Sequence, residues 1–163
     1  MSGRRGGHWL AAVLAIIAAL VLSVVPLPDA VAAFRPDWIA LLFLYWCFVD
    51  PRRYVLITAF AAGLALDSLA GTLLGQHSLA LVLIVFLSQR FYLRIRTFPA
   101  SQILLTVVIL LGLYEFILYW VDGVAGRETP LIERWGPALT GSALWLFVLA
   151  GIERGRQEAA ARM

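Results

Sequence analysis

Residues 63–81 read GLALDSLAGTLLGQHSLAL. Two apolar stretches flank the segment Gly71–Gln76, which carries a glycine near each end. Glycine closes helices because it enters the left-handed backbone region at no steric cost. The pattern predicts a helix that ends near Ala70, a turn over 71–76, and a second helix beginning at His77. Gly63, Asp67, Gly71 and Gly75 recur every fourth residue. Continued as one helix, the segment would align all four on one face. The following apolar run needs its own length, so the turn is the better reading. Asp67 then sits about one helical turn below the loop. It is an acid in an apolar run, with no arginine nearer than Arg53 and Arg90.

Outward from this hairpin the chain remains apolar. Of the 163 residues, 62% are hydrophobic, and the mean hydropathy is +0.88. A soluble domain of this size has about 45–50% apolar residues. The excess lies in uninterrupted runs, which points to the bilayer as solvent. Six spans are expected, over residues 8–25, 37–50, 54–70, 77–89, 100–121 and 135–152. Pro26 and Pro28 close the first, and Pro36 and Pro51 bracket the second. The second and fourth are short for a full crossing, and the fifth, at roughly 33 Å, crosses with tilt. The expected fold is therefore an all-α polytopic membrane protein, a single six-helix transmembrane domain over residues 1–163.

Arginine sets the orientation. With both termini cytoplasmic, the inner segments hold Arg4, Arg5, Arg52, Arg53, Arg90, Arg94, Arg96, Arg154, Arg156 and Arg162. The outer segments hold Arg35, Arg127 and Arg134. Ten against three follows the positive-inside rule. Ala30 and Ala32 mimic a signal-peptidase site, but the preceding apolar run is long and five spans follow, so it is read as a retained span.

On this topology Arg35, Asp37, Asp67, His77 and Glu115 all fall in the outer half. Ionisable residues at depth are costly and mark either helix pinning or a functional site. The five form a candidate polar cluster facing a partner or ligand. Ala11, Ala15 and Ala19 make a small-residue row suited to helix packing, as does Gly63, while Gly71 and Gly75 are turn glycines. Arg90, Arg94 and Arg96, beside Phe91, Tyr92 and Phe98, form an inner basic loop attracted to anionic headgroups.

Several chemistries lack their residues. There is no lysine, and so no P-loop and no Schiff-base nucleophile. The single cysteine, Cys47, excludes an intrachain disulfide. His8 and His77 are expected on opposite sides, so no paired-histidine metal site forms, and no cofactor is expected. No H-E-x-x-H or G-x-S-x-G motif is present. The basic residues are too scattered for nucleic acid.

The phrase RPDWIALLFLYWCFVDPRR, residues 35–53, followed by the opening stretch, resembles the MreD family of bacterial rod shape-determining membrane proteins. Arg35-Pro36-Asp37-Trp38, Tyr45-Trp46, Gly63, Leu66-Asp67, Gly71, Leu74-Gly75 and His77 carry the resemblance, most strongly over residues 35–90. It implies a non-enzymatic scaffold of the cell-elongation machinery in the cytoplasmic membrane. It also implies contact with the transmembrane helix of MreC and the base of its periplasmic domain. Through that partner it implies an indirect link to MreB, to RodA and to RodA's penicillin-binding partner. The family further resembles the six-helix substrate-binding subunits of energy-coupling-factor transporters. That makes a binder of a small molecule or lipid intermediate the alternative.

Overall fold

The computed structural model describes the backbone of residues 3–26, 28, 32–49, 54–92, 98–127 and 131–161. Within them the chain is all-helical, with no strand. The helices are α1 (Gly3–Val24), α2 (Trp38–Val49), α3 (Tyr54–Ala70), α4 (Gln76–Arg90), α5 (Ala100–Val124) and α6 (Leu131–Ala161). Each expected span coincides with one helix. α1 begins five residues earlier than expected, α5 ends three later, and α6 extends beyond both expected ends. Pro137 lies inside α6, where it offers no N–H to the carbonyl one turn earlier.

Local chemistry places the ends. After α3, Gly71 takes φ +66°, and the Thr72 N–H reaches back to the Asp67 carbonyl at 3.1 Å. This is a Schellman closure, which satisfies a carbonyl left open by the end of the helix. Gly75, at φ +96°, sits at the N-cap of α4. At the end of α1 the open carbonyls of Ser23 and Val25 accept from the Arg35 guanidinium.

The helices alternate in direction. Gly63 on α3 lies against Ser78 in the first turn of α4. Gln76 at the start of α4 bonds to Asp122 near the end of α5. Gly141 on α6 lies against Leu111 on α5 and Leu41 on α2, and Gly136 meets Ala33 in the connection between α1 and α2. α4 packs on α2, α3 and α5, and α6 packs mainly on α5. Phe43, Leu44, Ala59, Leu81, Ile84, Val107 and Tyr114 fill the centre. Phe48 of α2 meets Trp145 of α6, ring centroids 5.5 Å apart.

Every helix carries large apolar residues on its outer surface. Leu14 on α1, Val49 on α2, Ile57 on α3, Phe86 on α4, Ile109 on α5 and Phe147 on α6 are all exposed. A soluble monomer rarely leaves apolar patches on this scale uncovered. Among the described residues, Ser101–Val124 is the helix long and apolar enough to cross a membrane, by length and composition. The apolar parts of α1, α2, α3 and α6 are shorter.

Candidate functional site

Asp67 is 1% exposed, and its carboxylate faces the loop that follows its own helix. Oδ2 accepts from the Gly75 N–H at 2.8 Å. Oδ1 accepts from the His77 N–H at 3.0 Å and from the Thr72 hydroxyl at 2.9 Å. His77 Nδ1 lies 2.7 Å from the same oxygen, a bond that requires the ring to carry its proton on Nδ1. One carboxylate thus gathers four donors from residues 72–77 and caps α4 from the preceding helix. The geometry is favourable twice over, because open amides and the positive end of the α4 dipole both meet a negative charge.

A second polar contact lies alongside. Gln76 Nε2 donates to Asp122 Oδ1 at 2.9 Å and also reaches the Leu118 carbonyl at 3.3 Å. Tyr114 stands two turns before Asp122 on α5, and its ring centroid is 6.3 Å from that of His77. The α3–α4 turn is therefore pinned to α5. Both members of the Gln76–Asp122 pair are buried. We expect Asp122→Ala to cost about 1–2 kcal/mol, the penalty of a buried donor losing its acceptor. Thermal denaturation in detergent measures it, and an unchanged midpoint would remove this pin from the account.

The other candidates divide. Asp67 and His77 are joined directly. Glu115 is buried on α5, about 14 Å from the end of that helix. It is not among the groups bonded to Asp67. Arg35, grouped with Asp67 in the expected polar cluster, holds the end of α1, where open carbonyls lie within its reach. Asp37 precedes α2, and its carbonyl accepts from the Leu41 N–H at 2.9 Å. The alanine row rotates out of the protein along α1: Ala19 is buried, Ala15 half-buried and Ala11 exposed. Arg90 is exposed at the end of α4, and Arg94 and Arg96 lie outside the described residues. Among the described residues no group of three His, Cys, Asp or Glu side chains could hold a metal.

The sequence matches the family described as rod shape-determining protein MreD over residues 3–150. The chain belongs to the MreD family. A relative from Haemophilus influenzae, named rod shape-determining protein MreD, is 26% identical over 115 residues, covering 71% of each chain. No solved structure matches. MreD membership gives the chain a role in determining rod shape and places it among membrane proteins. The matched region contains every contact of the Asp67 cluster, together with Gln76 and Asp122. Thr72, Gln76, Tyr114 and Asp122 were not singled out in the sequence. Asp122 lay one residue past the expected end of the fifth span.

Proposed function

We propose that this MreD-family chain is a non-enzymatic membrane scaffold of the cell-elongation machinery. All six helices cross the cytoplasmic membrane in one domain, with both termini cytoplasmic. The scaffold holds MreC by its transmembrane helix and the base of its periplasmic domain. Through MreC it supports lateral peptidoglycan synthesis by RodA with its penicillin-binding partner, and it is linked to MreB.

The family match over nearly the whole chain carries the reading. Three observations support its finer parts. Exposed apolar residues on all six helices suit lipid or a partner helix on every side. The arginine distribution favours cytoplasmic termini. The polar groups at the α3–α4 turn bond to one another, which suits a rigid frame. A transporter-type binder has less support, because the four donors around Asp67 come from its own hairpin and leave that carboxylate no free face for a solute.

Affinity purification in mild detergent tests the scaffold. We expect a single-span protein with a coiled-coil periplasmic domain in near-equal amount. Recovery of a soluble small molecule with the chain, and no such protein, would contradict the scaffold and favour the binder.

A further inference from the structure

The α3–α4 turn is built inside out for a loop that faces water. Residues 67–78 carry polar side chains at Asp67, Ser68, Thr72, Gln76, His77 and Ser78. Each is hydrogen-bonded within the chain. Thr72 and His77 bond to Asp67, and Gln76 bonds to Asp122. Ser68 Oγ donates to the Leu64 carbonyl at 2.8 Å, and Ser78 Oγ donates to the Phe60 carbonyl at 3.1 Å. The side chains left facing outward are leucines: Leu69, Leu73 and Leu74 are exposed, the last by 74%. An exposed apolar patch of this kind marks a surface covered by something other than water. Because the polar side chains are already bonded inside, removing the turn from water costs little.

The level of the turn identifies the cover. The Gln76–Asp122 bond fixes the turn against α5. Ser101–Val124, long and apolar enough to cross a membrane, ends two residues after Asp122. Tyr119 and Trp120 lie three and two residues before Asp122, about 3–5 Å along the axis, and both are exposed. Tyrosine and tryptophan concentrate where the membrane meets water. The turn therefore stands at the edge of the bilayer, beside the end of a span. Its leucines also continue into Leu79, Leu83 and Phe86 on α4, which are exposed at helical spacing on one face. We infer that the α3–α4 turn is seated in the headgroup region of the membrane, with Leu73 and Leu74 inserted among the glycerol backbones and upper acyl chains. Lipid covers these leucines as an extension of the apolar face it covers along α4. A partner protein could shield the same leucines, but only while bound.

The inference goes beyond the scaffold reading and requires only that the chain sit in a membrane, so loss of MreC capture would leave it standing. The full chain alone, in phosphatidylcholine vesicles, tests it. Cys47, the sole native cysteine and a buried one, is replaced by alanine. A single thiol is then introduced by Leu74→Cys or, as the water-facing reference, by Arg127→Cys. Arg127 is exposed just beyond the end of α5. Each thiol carries an environment-sensitive nitrobenzoxadiazole label. Iodide in the buffer should quench the label in place of Leu74 several-fold less than the label in place of Arg127. A nitroxide carried near the lipid headgroup should quench it more than one near the acyl-chain end. Without the fluorophore, a membrane-impermeant maleimide should react several-fold more slowly with the thiol in place of Leu74. Circular dichroism confirms that both variants remain helical. Equal iodide quenching or equal maleimide rates at the two positions overturns the proposal. So does shielding that arises only when a second protein is added, which assigns the leucines to that protein. Stronger quenching from the acyl-chain end overturns it as well, by placing the turn in the hydrocarbon core.

Discussion

Replacing Asp67 by leucine should lower the stability of this protein by about 4 kcal/mol, while asparagine should cost about half as much. The difference follows from counting donors. Leucine leaves the amides of Gly75 and His77, the Thr72 hydroxyl and the His77 ring without their acceptor in a buried site. Asparagine can place its oxygen at the Oδ1 position, where three of the four donors converge. Only the Gly75 N–H then faces an NH2 group. The loss should be local at first. The N-terminus of α4 frays, and the contacts of Gln76 and His77 with α5 loosen with it. In cells a change of this size reduces abundance several-fold. Membrane abundance and detergent melting of both variants check the order. If Asp67→Leu melts like the wild type, the carboxylate does not hold the hairpin.

Gly63→Ala should be nearly as damaging, for a steric reason. A Cβ at this position would stand 2.4 Å from the Ser78 Cα and 2.5 Å from the Ser78 nitrogen. These are backbone atoms, so no rotamer change relieves the overlap, and α3 and α4 must separate. The separation also strains the Ser78 hydroxyl bond to the Phe60 carbonyl, 3.1 Å long. Overpacking costs about 1–3 kcal/mol where side chains can yield. With backbone on both sides, we expect about 3 kcal/mol or more. Gly112 supplies the control. Nothing lies within 4 Å of its Cβ position, and it stands inside α5. Gly112→Ala should therefore stabilise by about 0.5–1 kcal/mol through the helix preference for alanine. Melting midpoints that move in the same direction for both substitutions would remove close approach as the explanation.

The hairpin at residues 63–81 was legible because two glycines needing left-handed backbone, Gly71 and Gly75, sit four and eight residues after the acid they serve. A carboxylate one turn below a glycine-rich loop finds donors whatever the rest of the fold does. Arg35 shows the opposite case. Its expected depth grouped it with Asp67, yet the open carbonyls that close α1 are nearer along the chain. Which acceptor an arginine meets is a matter of angle between segments, and sequence carries little of that. The Gln76–Asp122 contact joins residues 46 positions apart, so nothing local announces it.

The proposed scaffold makes cell shape depend on the hairpin that holds it together. Cell width measures that most directly. A strain depleted of its own copy is given the wild type, Asp67→Asn or Asp67→Leu from a plasmid, and width is scored by microscopy alongside membrane abundance. The scaffold predicts rods of normal width with the wild type, mild widening with asparagine, and rounding with leucine in step with its lost abundance. Cells that keep a normal rod width after depletion, with no copy supplied, would contradict it.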